Sequence, residues 1–412
     1  MKCRHCGIEL KRTFIDLGFA PPSNAYLTED DLVSPELSFP LKLKVCDNCR
    51  LVQTEDYAEA DQLFNHDYAY FSSVSGMWLE HAASFAIAII DELKLTQENF
   101  IIEIASNDGY LLQNFVARKI PCLGIEPTAS TAEAAEALGI PVLRRFFGQT
   151  LAEELRNEGR QADLLIGNNV FAHVPDINDF VAGLKIALKP SGTITLEFPH
   201  LMRLIEHAQF DTIYHEHYSY LSLGTTMRIL NSGDLRIFHV EELPTHGGSL
   251  RIHACHSNDL RPTMENVRML LDIEERFGLS DHKIYADFQH RAETIKNDLL
   301  LFLLHQKRSG RKIAAYGAAA KGNTLLNYAG IKPDMIPYVC DAAPSKQGKY
   351  LPGSHIPILH PDELRKRKPD TVLVLPWNIA DEIVEQHGYI REWGGEFYVA
   401  VPSVQKIGGG AE

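Results

Sequence analysis

Short apolar runs alternate with helix-periodic segments through the middle of the chain. Runs at 100–105, 121–126, 142–144, 163–167, 193–198, 235–240 and 249–254 are rich in β-branched residues and leucine and read as strands. Helical or loop-plus-helix segments separate the first five, the pattern of right-handed βαβ units and a parallel sheet. The last two are joined by a short loop containing Pro244 and Gly247-Gly248, which predicts an antiparallel hairpin at one edge. Helical periodicity then covers 264–277 and 281–307. A second strand–helix series follows, with strands at 312–316, 336–340, 371–375 and 396–399. Before residue 65 the texture differs: a Pro21-Pro22 break and β-type alternation at 41–45. The expected organisation is three units, 1–65, 66–258 and 259–412, the last a helical linker plus a smaller α/β unit.

Composition narrows the class. At roughly 150 residues per domain, 412 residues give two to three domains. A hydrophobic fraction of 45% and a charged fraction of 23% exclude disorder and fibrous folds. Forty basic against fifty-four acidic residues leave a net charge of −14, which argues against nucleic-acid or anionic-membrane partners. A local basic pocket for an anionic small molecule remains compatible with it. The longest apolar stretch, 82–90, is interrupted by Ser84 and is too short to span a bilayer. No apolar leader is visible at the N-terminus, so the expectation is a cytoplasmic protein.

Four of the seven cysteines form two C-x-x-C pairs, Cys3/Cys6 and Cys46/Cys49. Two intervening residues let both thiolates turn onto one ion, and two such pairs complete a tetrahedral S₄ shell suited to structural zinc. The 39 residues between the pairs exceed the usual spacing of about 15–20, so the loop must carry structure of its own. A closed shell leaves no open position, and no catalytic role is assigned to it. Cys122, Cys255 and Cys340 lie in or beside apolar runs and read as small buried hydrophobes.

The first central strand enters a turn through Glu103-Ile104-Ala105-Ser106-Asn107-Asp108-Gly109 before a helix predicted over 110–117. Glu126-Pro127 closes the second strand, 23 residues after Glu103. This arrangement resembles the class I S-adenosylmethionine-dependent methyltransferases, whose first motif reads acidic-x-Gly-x-Gly-x-Gly. In that family an acidic residue at the end of the second strand takes the ribose hydroxyls. Ala105 and Asn107 replace two of the three glycines. Alanine costs little if its φ is negative, and asparagine tolerates left-handed geometry. A nicotinamide-binding turn would need G-x-G-x-x-G, and none follows a predicted strand. Beyond the fourth strand, Asn168, Asn169 and His173 should face the same crevice as Asn107 and Glu126.

Tyr214-His215-Glu216-His217-Tyr218 concentrates acid/base groups and aromatics. It does not fit H-E-x-x-H, because its histidines stand only two apart. Together these stretches resemble the sugar C-methyltransferase family, as do Gly247-Gly248-Ser249-Leu250-Arg251 and Tyr316–Asn323. The implied fold is a class I methyltransferase (Rossmann-like) α/β sheet. A zinc-binding N-terminal domain and a smaller C-terminal Rossmann-like domain flank it. The resemblance implies S-adenosylmethionine as cofactor, structural zinc, and methylation at C-3′ of a nucleotide-linked 4-keto-deoxysugar. Acid/base positions of the family correspond to Tyr68, His173, Tyr214, Glu216 and His217. His217 suits the base, since an unperturbed imidazole titrates near 6.5, and the others would orient it or donate to the C-4′ oxygen. An extended segment would split Tyr214 and Glu216 from His217, so joint action requires a turn. Tyr68 either seals the domain boundary or contacts substrate.

In the C-terminal unit, Tyr316-Gly317-Ala318-Ala319-Ala320-Lys321-Gly322-Asn323 is a strand, a small-residue turn and a helix start. Small side chains let a phosphate approach the helix N-terminus, and Lys321 adds charge. Lys321, Asn323, Gly317, Asp341 and Arg251 are the candidate substrate-binding residues, with a nucleotide diphosphate as the group held. A monomer or weak dimer is expected. Competing classes are a nicotinamide-dependent oxidoreductase, an O- or N-methyltransferase, and a non-catalytic zinc-ribbon binding protein.

Overall fold

The computed structural model describes residues 1–55 and 71–408. Strands β1 (Arg12–Ala20), β2 (Phe39–Val45) and β3 (Val52–Thr54) form an antiparallel N-terminal meander. In β2, Leu41, Leu43 and Val45 point inward while Lys42 and Lys44 point out, the alternation the sequence predicts.

The central strands are β4 (Ile101–Ile104), β5 (Cys122–Ile125), β6 (Val142–Leu143), β7 (Ala162–Asn168) and β8 (Leu188–Pro199). Next comes β9 (Ser219–Tyr220), which leaves this sheet and pairs Tyr220 with Val52 and Ser219 with Gln53. It becomes the fourth strand of the N-terminal sheet. Strands β10 (Leu235–Leu243) and β11 (Ser249–His256) complete a seven-stranded central sheet of order β10-β11-β8-β7-β4-β5-β6. Only β11 runs antiparallel, inserted between β8 and the edge strand β10. The predicted hairpin is therefore at the edge, its second strand turned inward. Both faces of β4 and β5 are covered, which is why they read as apolar runs broken only by the buried Glu103. Strand order reverses between β4 and β7, opening a crevice beyond their carboxyl ends.

The stretch 82–90 lies within the helix Gly76–Leu93. Its residues Ala82, Phe85, Ala86, Ile89 and Ile90 pack on the central sheet at helical spacing. Among the described residues, no helix is long and apolar enough to cross a membrane. Ser75 caps the helix by accepting from the Trp78 amide.

The C-terminal sheet comprises β12 (Ile313–Tyr316), β13 (Val339–Cys340), β14 (Ile358–Leu359), β15 (Thr371–Val374), β16 (Glu396–Val399) and β17 (Gln405–Ile407). Its order is β14-β13-β12-β15-β16-β17, parallel except for β17. The strand predicted at 336–340 shortens to two residues, because Pro337 has no N–H to give a neighbour. The helix Phe288–Arg308 buries Phe288, Ala292, Ile295, Leu299 and Leu303 in a core shared with the N-terminal and C-terminal sheets and with the segment from Leu201 to Ile213. Phe288 stacks on Phe14 of β1 with centroids 4.5 Å apart.

Candidate active site

The four paired cysteines converge. Their sulfur atoms all lie within 4.8 Å of one another, with Cys3–Cys49 and Cys6–Cys46 at 3.5 Å. A tetrahedral zinc with bonds of about 2.3 Å needs sulfur–sulfur edges of roughly 3.8 Å, so the donor set fits. Both knuckles close on the same turn: Gly7 N–H donates to Cys3 and Arg50 N–H to Cys46. Gly7 and Arg50 are both left-handed, at φ 73° and 63°. Gln53 donates to the Cys3 sulfur at 3.2 Å, which favours a thiolate.

After β4 the chain turns through Ala105 (φ 56°), Asn107 (φ 49°) and Gly109 (φ 81°). Asparagine meets the geometry expected of it. Alanine does not meet the condition under which it costs little: its φ is positive, because the chain must leave the strand there. The same sequence of turns delays the helix predicted over 110–117 to Gln113–Val116. Gly109 also lacks room, since a Cβ would lie 2.4 Å from Ile140.

Glu126 accepts the amides of Asn107 and Thr128 at 3.0 and 2.9 Å, joining the two turns. Burial raises its pKa. Pro127 follows at the rim, partly buried. Glu103 is fully buried, and neither carboxylate oxygen has a partner among the described residues. Burial, reinforced by the charges of Asp108 and Glu126, pushes its pKa well above the usual carboxylate range. At the end of β7 both amide atoms of Asn168 are buried without a partner, as is the Ser106 hydroxyl. Unmet acceptors beside an unmet amide suit a ligand carrying both an ammonium and a carboxylate, as adenosylmethionine does.

The segment after residue 209 is irregular, as joint action of its side chains requires. A 3₁₀ turn covers Phe210–Thr212, and His217 N–H donates to the Tyr214 carbonyl. His217 Nδ1 lies 3.0 Å from the Thr212 carbonyl oxygen. A carbonyl only accepts, so Nδ1 carries the proton and Nε2 the lone pair. The His217 ring meets Tyr214 at 4.0 Å and His173 at 4.5 Å, centroid to centroid. His173 donates to the Glu216 carbonyl at 2.8 Å, and burial pulls its pKa down to about 4. Burial, then the neighbouring His173, holds His217 well below the usual imidazole range. Burial pushes Glu216 up to about 7, opposed by Asn24, which donates to its carboxylate at 2.7 Å. His215 faces the other way, donating to the Pro40 carbonyl at 3.2 Å. Tyr68 lies outside the described residues.

In the C-terminal unit, Gly317 (φ 92°) is fixed by Pro376, which a Cβ would meet at 2.3 Å. Asp341 is engaged by its own loops, accepting the amides of Ala318 and Ala343. Asn323 is buried and donates to the Ser23 carbonyl at 2.7 Å. Lys321 donates to Asn378 and sits 4.6 Å from the Trp377 ring centre. Burial lowers its pKa to about 8, opposed by Asp211. Asp211 accepts from the Trp377 indole N–H at 2.7 Å, and burial raises its pKa to about 6. Lys321 and Trp377 thus face the 210–217 segment. Arg251 is not brought to this unit. Strand register sets it opposite Glu197, with their charged groups 2.7 Å apart and the guanidinium 4.2 Å over Phe85.

Sequence reasoning missed Asn24 and Tyr26, whose hydroxyl donates to Ala318 at 2.6 Å. It also missed the His81–Glu197 pair and His246. The Pro21-Pro22 break was the available hint that a loop there reaches elsewhere.

Three family models tile the chain: a zinc binding domain at 3–64, a methyltransferase domain at 78–240, and a C-methyltransferase C-terminal domain at 244–402. The C-methyltransferase NovU of Streptomyces niveus is 32% identical over 409 residues, covering 98% of this chain and 96% of its own. Among solved structures, an S-adenosylmethionine-dependent methyltransferase from Clostridium acetobutylicum aligns at TM-score 0.36 and 12% identity, over 44% of this chain and 92% of its own. Magnesium protoporphyrin IX methyltransferase from Synechocystis, with bound S-adenosylmethionine, aligns at 0.33 and 13%, over 43% and 78%. At these scores the structural likenesses add no argument.

Proposed function

This chain belongs to the C-methyltransferase family, and on that premise we propose that it methylates C-3′ of a nucleotide-linked 4-keto-deoxysugar through an enolate. It is an S-adenosylmethionine-dependent methyltransferase with a structural zinc. The cofactor, when bound, supplies an electrophilic sulfonium methyl group. Glu126, Glu103, Asn168 and the 105–109 turn are the groups suited to hold it. The four thiolates would hold the metal away from the chemistry.

A methyl group moves to carbon only if that carbon is first made nucleophilic. A ketone permits this, because the proton on the neighbouring carbon can leave with its electron pair delocalised onto oxygen. The fixed tautomer of His217 carries the reading: Nδ1 is committed to the Thr212 carbonyl, so Nε2 keeps its lone pair for a proton. Burial keeps the ring neutral and ready at neutral pH. A buried imidazole holds a proton weakly in isolation, but the enolate charge forming beside it stabilises the imidazolium. His173 buttresses the ring. Glu216, on the same turn, ties it to the N-terminal unit through Asn24. Transfer itself needs positioning rather than further proton movement. Lys321, partly buried against Asp211 and Trp377, supports the role of a charge for the diphosphate.

The test is deuterium exchange in D₂O without adenosylmethionine, on thymidine-, cytidine- and guanosine-linked 4-keto sugars, read by mass. One deuterium should enter beside the ketone with the wild type, and His217→Asn should abolish exchange while adenosylmethionine still binds. Exchange by His217→Asn at the wild-type rate, or a product alkylated on oxygen or nitrogen, would refute the proposal.

A further inference from the structure

His246 stands in the turn Thr245–Gly247 between β10 and β11 with φ 54° and ψ 22°. Left-handed geometry is uncommon for a non-glycine residue, and a hairpin turn has glycine available for it. Such conformations persist where the surroundings over-determine them, and they concentrate at functional sites. The surroundings here do so. A Cβ at Gly247 would lie 2.4 Å from Trp377 and 2.6 Å from Gln209, wedging the turn between the central and C-terminal units. Thr245 donates to Glu197 at 3.1 Å, and Glu197 is itself held by Arg251 at 2.7 Å and His81 at 3.0 Å.

The imidazole is equally fixed. Asn169, also left-handed at φ 53°, places its amide nitrogen 3.3 Å from His246 Nε2. The Trp78 ring lies 5.2 Å away, centroid to centroid. An amide N–H donating to Nε2 leaves the ring proton on Nδ1. Nδ1 has no hydrogen-bond partner among the described residues. Burial, then the charge of Lys321, pulls the pKa of His246 to about 4, so the ring is neutral at neutral pH. His246 lies close enough to His217 for its charge to bear on that ring. One short segment serves both rings: Asn169 holds His246, and His173, four residues on, packs against His217.

We infer that His246 donates Nδ1–H to the ketone oxygen of the substrate and stabilises the enolate there, while His217 takes the proton from carbon. The inference rests on the enolate reading above. Its balance is closed. The C–H pair becomes a carbon–carbon double bond, the carbonyl π pair moves onto the oxygen facing His246, and the proton goes to His217 Nε2. When the new C–C bond forms, that charge returns to carbon and the S–CH₃ pair leaves with sulfur. His246 keeps its proton throughout.

The decisive variant is His246→Gly, since glycine accepts the backbone geometry and removes only the ring. In the exchange assay without adenosylmethionine its rate should fall about 100-fold, the usual cost of one oxyanion donor. Cofactor affinity and melting temperature should hold, and added imidazole should restore part of the rate. Exchange at the wild-type rate, or normal exchange with weakened cofactor binding, would overturn the role. If the wild type itself exchanged no deuterium on any ketosugar, the enolate reading would fall, and this inference with it.

Discussion

Replacing Ala105 by glycine should stabilise this enzyme, although glycine ordinarily loosens a chain. Ala105 sits at φ 56°, where its Cβ crowds the following carbonyl. That crowding costs about 1–2 kcal/mol. Glycine relieves it but adds freedom to the unfolded chain, worth about 0.4–1 kcal/mol in the other direction. The net expectation is a gain of about 0.5–1 kcal/mol. For a unit of this size each kcal/mol moves the melting point by about 2–4 °C, so Ala105→Gly should raise it by about 1–4 °C. Differential scanning calorimetry of both proteins, with and without adenosylmethionine, measures this. Because the backbone path is unchanged, cofactor affinity should stay within about twofold, a difference of about 0.4 kcal/mol. Ala105→Val supplies the opposite sign, since a β-branched residue tolerates this region worst. A lower melting point for Ala105→Gly would refute the reasoning and mean that the methyl group's packing outweighs its strain.

Two further outcomes follow from buried groups. The folded pKa of Glu216, about 7, lies above the ordinary 4.5, so the folded state binds its proton more tightly. That contribution is present below pH 4.5 and is lost as pH rises through 7, amounting to about 3 kcal/mol at about 1.4 kcal/mol per unit. Glu216→Gln should therefore gain melting temperature over the wild type as pH is raised from 5 to 8, and a constant difference would contradict the assignment. Cys49→Ser should release the zinc, read by elemental analysis, and lower the melting temperature. Unchanged metal content would remove Cys49 from the shell.

What the sequence made legible was local. Each C-x-x-C pair, the 103–109 turn and the histidine–glutamate segment lie within a few residues, where pattern and geometry are tied. What it hid was distant or depended on the path of the chain. Asn24 reaches Glu216 across 192 positions, and Asn323 reaches Ser23 across 300. No periodicity encodes such pairs. The sign of φ at Ala105 depends on where the strand must turn, which composition does not state. Arg251 read as a substrate-binding residue because its partner, Glu197, is set by β8–β11 register. Tyr68, expected among the acid/base groups, lies outside the described residues.

The two-residue strand β9 has a consequence during synthesis. The N-terminal sheet gains its last strand only when Ser219 and Tyr220 pair with β3, whose final residue is Thr54. At ribosomal speeds of about 5–20 residues per second, the nascent thiol-bearing module must wait about 10–30 s with an open edge before its own chain closes it. Translation order thus leaves the first-made module unfinished until the loop that carries Glu216 and His217 has emerged.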